Sequence, residues 1–317
     1  MTLLKGIKFY PSRFLELHRG EWPVGVQMFQ VTRSHSVVNA THREWRLLGF
    51  LSCVTRDSSG QEESLISDHC WLTETQLERI RPYFPRSHGK PRVDDRRVIS
   101  GIIHVIRNGL RWRDAPEVYG SHKTLYNRFV RWSRMGIFDR KFSGLVSGGP
   151  EPDAVMIDAT HLKAHRTACS LARKGAVPRR IGRTKGGQNS KLHALCDKKG
   201  RPIVLCLSEG QLSDHVGAKL IYPAIPNAKV LIGDKGYDSD EFRDALKARK
   251  IKACIPPRSG RTAPSNYSKT LYRQRHRIEN MFAKLKDWRR IATRYDRCAH
   301  TFMSAIYIAA TVIFWIN

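Results

Sequence analysis

Two short runs of β-branched and aliphatic residues, AVMIDAT (154–160) and KVLIGDKGYD (229–238), each carry an aspartate, Asp158 and Asp234. Runs of this kind predict buried strands, here with an acid at or near the carboxyl end. That pattern constrains the fold strongly, because an unpaired carboxylate on a buried strand costs several kcal/mol. A bound cation removes the cost. The plainer alternative is that each Asp ends its strand as a turn residue. Around these runs the pattern predicts strands at 155–160, 191–197, 202–208, 229–233 and 252–255, with helices at 214–223 and 240–249. The DKKG segment (197–200) reads as a hairpin turn between the second and third strands. Three strands on short connections, followed by alternation of strand and helix, describe an α/β domain with a mixed sheet.

A third acid comes from a helix. In YRQRHRIENMFAKLK, Tyr272, Arg275, Glu279 and Lys286 fall at offsets 0, 3, 7 and 14. At about 100° per residue these side chains lie near roughly 0°, 300°, 340° and 320°, a single polar stripe. Ile278, Met281, Phe282, Leu285 and Trp288 occupy the neighbouring arc, so Glu279 stands at the edge of a buried face, among a tyrosine, an arginine and a lysine. Such a group suits a site that holds a metal and a phosphate together.

The spacing Y-x2-R-x3-E-x6-K, the DKGYD segment from Asp234 and the MIDATHLKAHR segment from Met156 resemble the DDE transposases of bacterial insertion sequences, specifically insertion-sequence family five. The similarity runs from about Ser67 to the end of the chain. It implies an RNase H-like catalytic core in which Asp158, Asp234 and Glu279 hold two Mg²⁺ ions, with Mn²⁺ able to substitute. By the same resemblance, Tyr272, Arg275 and Lys286 support the glutamate and contact DNA phosphates near the transposon end. The expected partners are transposon-end and target DNA and further copies of the chain in a homodimer or higher oligomer. The expected location is the bacterial cytoplasm, at the nucleoid.

Charge points independently to a polyanion. The chain has 56 Lys+Arg against 28 Asp+Glu, a formal charge of +28, the footprint of nucleic acid binding. Residues 1–65 are nearly neutral, so the excess sits in the rest. From Arg166 to Lys191 there are eight basic residues and no acid: Arg166, Arg173, Lys174, Arg179, Arg180, Arg183, Lys185 and Lys191. This stretch is expected to track a DNA backbone; the alternative is a solvated loop. GRTKGG lacks the spacing of a phosphate-binding P-loop.

Residues 67–150 read as a compact all-α, helix-turn-helix-like domain ahead of the catalytic core at 151–317. Thr73 and Gln76 form a capping-box pattern, with Leu72 able to staple to Leu77, and a helix is predicted from Glu74 to the Pro82–Pro85 turn. A second helix is predicted after Asp94, stopping near Gly109. In a third, HKTLYNRFVRWSRM, Ser121 is the expected cap. Lys123, Asn127, Arg131 and Arg134 share one face, and Leu125, Tyr126, Phe129 and Trp132 spread over the opposite arc. Such a helix enters a major groove in helix-turn-helix proteins; an ordinary amphipathic bundle helix is the alternative.

Seven scattered cysteines without a C-x-x-C pair support neither a zinc knuckle nor a disulfide framework, which fits a reducing cytoplasm. The apolar run Phe302–Ile316 is shorter than the roughly 20 residues of a membrane span and reads as a core helix. His161 and His165 are expected to be structural or DNA-contacting rather than soft-metal ligands, and Asp238 and Asp240 to be turn and cap residues. Residues 1–66 match no pattern and are an uncharacterised extension. Two other functions stay open: a DNA-binding regulator with an inert core, and an RNase H-like nuclease that cuts without joining.

Overall fold

The computed structural model describes residues 69–85, 93–170, 179–261 and 266–316. The N-terminal extension, and Arg173 and Lys174 of the basic stretch, lie outside the described residues.

Four helices come first: α1 (Glu74–Ile80), α2 (Asp95–Asn108), α3 (His122–Arg134) and α4 (Ile137–Ser147). The start of α1 is the expected capping box, with the Thr73 side chain accepting from the Gln76 backbone and the Gln76 side chain accepting from the Thr73 backbone. Asp94 caps α2 through two backbone N–H groups, and Gly109 ends it in the left-handed region at φ 74°. Only glycine fits there, since a Cβ would lie 2.7 Å from that of Arg289. Ser121 occupies the cap position of α3 but makes no side-chain cap hydrogen bond. Tyr126 departs from its expected place: Leu125, Phe129 and Trp132 are buried, whereas Tyr126 is 46% exposed and packs at a tilt against Trp112.

The remaining elements are β1 (Ala154–Ala164), α5 (Arg166–Cys169), β2 (Gly182–Thr184), β3 (Gly187–Asp197), β4 (Pro202–Glu209), α6 (Asp214–Ile221), β5 (Val230–Gly233), α7 (Asp240–Ala248), β6 (Lys252–Cys254), α8 (Lys269–Tyr272), α9 (His276–Lys286), α10 (Arg289–Ala292), β7 (Thr293–Arg294) and α11 (Ala299–Phe314). The sheet runs β4-β3-β1-β5-β6, with the short β2 pairing β3 and β7 pairing β1. β3 runs antiparallel to both β1 and β4, whereas β5 and β6 run parallel to β1. This is an α/β fold with the strand order that an RNase H-like core requires. The β3–β4 turn passes through Gly200 at φ 75°, the hairpin foreseen at DKKG.

β1 is longer than its apolar run. It continues past Asp158 to Ala164, alternating buried and exposed residues, because β3 and then β7 supply its hydrogen-bond partners. Asp158 therefore sits within a strand rather than at its end. The parallel pairing with β5, however, stops at Ile157↔Gly233, so Asp158 lies where its neighbour strand gives out.

The two sheet faces bury different layers. Val155, Ile157, Leu195 and Leu231 pack under α6 and α7, against Ala218, Ile221, Phe242 and Leu246. The opposite face, with Met156, Ala194, Leu205 and Ile232, belongs to one apolar cluster with α9, α11 and residues of α1 to α4. Residues 302–316 are thus core, as expected, and no helix among the described residues is long and apolar enough to cross a membrane. The six described cysteines are free.

Within this core, burial pushes the Asp139 carboxyl up to about 6, against hydrogen bonds to Tyr307 and Ser143 and the charge of Arg140. A carboxyl raised on folding stabilises the fold fully below its unfolded pKa of about 3.9, and that contribution is lost as pH rises through about 6. Asp139→Asn keeps an acceptor for Tyr307 but cannot ionise. It is expected to exceed the parent in stability near pH 7.5 by roughly 2 kcal/mol, and to lack the parent's loss of stability between about pH 4 and 7. Urea unfolding across that range checks both.

Candidate active site

The sheet register brings two of the acids together. Met156 is paired with Ile232 and Ile157 with Gly233, so one step further along both strands Asp158 and Asp234 are neighbours. Met156 and Ile232 both face the cluster shared with α9; by the two-residue alternation of a strand, Asp158 and Asp234 take that face as well. Asp158 is completely buried. It also accepts a hydrogen bond from the Ala159 backbone N–H at 3.1 Å.

The helix docks on this face through Ile278, Met281, Phe282 and Leu285, all buried as the stripe predicts. It is not one continuous α-helix. The chain passes from α8 through a 3-10 turn, Arg273–Arg275, into α9. A 3-10 turn takes about three residues rather than 3.6, which nearly eclipses side chains three apart. Arg275 is thereby swung into line with Tyr272, and its guanidinium lies 5.8 Å from the centre of the Tyr272 ring. Trp288 is buried but lies beyond α9, at the cap of α10.

Arg275 joins the pieces. One terminal nitrogen donates to Asp158 Oδ2 at 2.8 Å and the other to Glu279 Oε1 at 2.6 Å. Burial alone would lower the Arg275 pKa, but the charges of Asp158 and Glu279, then Tyr272 and Asp234, outweigh it and the net shift is upward. Burial raises the Tyr272 hydroxyl, and Asp234 and Asp158 push it further up while Arg275 opposes them. Asp158, Asp234 and Glu279, from a strand, a strand end and a helix, thus all act on Arg275, and the two aspartates act on Tyr272 as well.

Lys286 completes the stripe about two turns beyond Glu279. Its Nζ donates to Thr160 Oγ1 at 2.8 Å, and burial lowers its pKa with no carboxylate opposing. Thr160, buried two residues after Asp158 on the same strand face, was not singled out in the sequence. The alternation of DAT is the signal that could have found it.

The other predicted DNA-binding residues lie apart from this cluster. Lys123, Asn127, Arg131 and Arg134 are all exposed on α3, as the face analysis requires. In the basic stretch, Arg183 and Lys185 are exposed at the β2–β3 hairpin. Arg179 instead donates to the Cys169 carbonyl at 3.0 Å, and Arg180 pairs with Glu209 at 3.1 Å. Lys191 is buried against Asp214 at 3.1 Å. The acids absent from the stretch are supplied by β4 and α6. His161 faces the Gly210 carbonyl at 2.9 Å, and His165 contacts Thr167. Asp238 is buried between Arg243 and Arg261 and accepts from the Arg258 backbone N–H, while Asp240 pairs with Arg261. Burial works against the Asp238 charge, but these donors hold its pKa below the usual range.

Among the described residues no three His, Cys, Asp or Glu side chains stand together as a metal-coordinating group. The place between Asp158 and Glu279 is taken by the guanidinium. The donors nonetheless suit a hard divalent cation: they are all carboxylates, and two of them already converge on one positive group.

Comparison with known proteins supports the same reading. Residues 72–142 match a family described as "Putative transposase of IS4/5 family", and residues 231–315 match the transposase DDE domain. The "Putative transposase for insertion sequence element IS6501" of Brucella ovis is 31% identical over 129 residues, 40% of this chain and 98% of that protein. The chain belongs to the insertion-sequence transposases. A transposase for element IS402 of Burkholderia cepacia is 28% identical over 43% of this chain and 72% of its own length. Among solved structures, a piggyBac transposase synaptic complex with hairpin DNA aligns over 80% of this chain and 72% of that one, at 10% identity and a TM-score of 0.45. The transposase is of the DDE type, a class of DNA-processing enzymes that uses divalent metal ions.

Thr160→Val removes the Lys286 hydrogen bond at almost constant volume. Stability is expected to change by no more than about 1 kcal/mol, while DNA cleavage slows roughly tenfold as the amine loses its orientation. Single-turnover nicking assays and thermal melting check the pair; an unchanged rate would show that the hydroxyl does not position Lys286.

Proposed function

We propose that this transposase binds the ends of its own insertion sequence and cuts and rejoins DNA at a site built on Asp158, Asp234 and Glu279, with Mg²⁺ as the working cation and Mn²⁺ able to replace it. The observation that carries this reading is the convergence of the three acids on Arg275, although Asp158 and Glu279 are separated by more than a hundred residues. Two such ions, when bound, supply an activated water or 3′-hydroxyl and stabilise the leaving 3′-oxygen of an in-line displacement.

The side chains have separate tasks. Asp158 and Asp234, fixed by strand register, and Glu279, fixed by the apolar face of α9, hold the cations. Lys286, with no acid beside it and a pKa lowered by burial, gains most from an incoming anion and neutralises the scissile phosphate. Tyr272 packs on Arg275 and bounds the site. Arg275 contacts phosphate near the transposon end. No protein nucleophile is required, so the same site serves hydrolysis and strand transfer.

DNA is held at a distance from the chemistry by other elements. The exposed face of α3, Lys123, Asn127, Arg131 and Arg134, reads or grips the end sequence, which assigns recognition to residues 67–150 and catalysis to 151–317. Arg183 and Lys185 at the β2–β3 hairpin follow the backbone. Arg179 and Arg180, tied to Cys169 and Glu209, serve instead to fix the path of the chain into that hairpin. Joining two ends to one target calls for two active sites, and the working form is a homodimer or a higher oligomer, at the nucleoid.

Asp158→Asn is expected to retain binding of end DNA and to lose Mg²⁺-dependent cleavage by at least about a thousandfold, the loss of one of the carboxylates that would hold the cations. Gel-shift and nicking assays read the two properties separately, and undiminished cleavage would refute the assignment. Asn127→Ala is expected to leave cleavage chemistry intact while reducing discrimination between end and random DNA by about tenfold, roughly one bidentate base contact. Equal loss on both DNAs would make Asn127 a backbone contact.

A further inference from the structure

Arg275 meets Asp158 and Glu279 with a different nitrogen for each, at 2.8 and 2.6 Å. One planar cation is therefore shared between two acids instead of gripping one of them with both nitrogens. Asp158 has no exposed surface, and the Arg275 side chain is 17% exposed, so the buried carboxylate is compensated from the protein's own sequence. A divalent cation would draw on the same two carboxylates, so guanidinium and metal compete for their charge.

Three features make the contact releasable. Arg275 reaches the acids by its side chain alone, from a 3-10 turn between two helices. Three carboxylates face a single guanidinium, which leaves the cluster with surplus negative charge to attract a cation. Phosphate oxygens, arranged much like those of a carboxylate, give the guanidinium an equivalent fork to grip elsewhere.

We propose that Arg275 is the resident counter-cation of the site before DNA arrives, and that DNA phosphate draws it off the carboxylates so that metal loading and DNA binding are coupled. The proposal rests on the assignment of Asp158, Asp234 and Glu279 given above. It predicts that the free transposase binds divalent metal poorly, because each ion must displace an internal salt bridge.

The test uses Mn²⁺ alone with the full chain, free ion being counted by electron paramagnetic resonance. Arg275→Gln is expected to bind Mn²⁺ about tenfold more tightly than wild type, and to melt at a lower temperature in chelator but recover on adding Mn²⁺. Equal or weaker binding by R275Q overturns the proposal. If R275Q does not fold, Arg275→Lys carries the test: a point-like ammonium bridges two acids less well, so Mn²⁺ affinity should still rise, and wild-type affinity overturns the idea. A short DNA duplex at low salt should tighten Mn²⁺ binding by wild type but not by R275Q; no effect on wild type removes the coupling. In the R275Q background, Asp158→Asn should abolish the gain. A gain that survives would place the ion elsewhere and overturn the acid assignment itself, an outcome distinct from failure of R275Q to gain affinity.

Discussion

A carboxylate with no exposed surface, in the middle of a central strand, is costly to bury, and the Arg275 guanidinium offsets that cost. Much of the local geometry follows from that contact. The guanidinium can reach Asp158 only if α9 lies along the sheet face that carries Met156 and Ile232, and the apolar row Ile278, Met281, Phe282 and Leu285 holds it there. It can reach Glu279 at the same time because the two are four residues apart along a helix. The 3-10 turn brings Tyr272 over the same group. A strand register, a helix face and a turn are thus all tied to one cation.

Local patterns in the sequence carried the elements whose ends are set by local chemistry. The Thr73–Gln76 box, the Asp94 cap, Gly109 and the DKKG turn all act within a few residues of themselves, and each appears where the pattern places it. Features fixed by partners distant in sequence were not legible. β1 extends past Asp158 because β3 and β7 offer it hydrogen bonds, and nothing in THLKA alone distinguishes that from a loop. Tyr126 is exposed because Trp112, outside the helix, fills the space on its inner side. The helix with Glu279 reads as continuous because a 3-10 turn and an α-helix share the same apolar spacing over so short a stretch. Of the site itself, the stripe of Tyr272, Arg275, Glu279 and Lys286 was readable from spacing and the two aspartates from the apolar runs that carry them, whereas the Thr160–Lys286 contact required the strand face to be known.

Net charge overstates the cations that DNA can meet. Arg180, Arg243, Arg261 and Lys191 are each paired with an acid of the fold, and Arg294 is completely buried, its guanidinium donating to Ser190 and to backbone carbonyls. Burial lowers its pKa to about 10, which still leaves it charged near neutrality. These residues spend their charge on holding loops to the sheet. A run of basic residues therefore divides into structural and available cations according to whether acids elsewhere in the chain fold back onto it, which composition does not reveal.

The helical segment and α9 are also less separate than their order in the chain implies. α10 follows α9 directly and packs on α2. Arg290 donates to the Leu110 carbonyl at 2.8 Å, just past the Gly109 stop, and its guanidinium lies 5.4 Å from the Trp112 ring. The close approach of Arg289 to Gly109 leaves no room for a side chain there. The end of α2 is consequently a fixed seat for the carboxyl-terminal side of α9, and one apolar cluster runs from α1 through α4 into the sheet face. Because interiors this densely packed transmit displacement rather than absorb it, a shift of α3, which carries Lys123, Asn127, Arg131 and Arg134, bears on the position of Glu279 through packing alone.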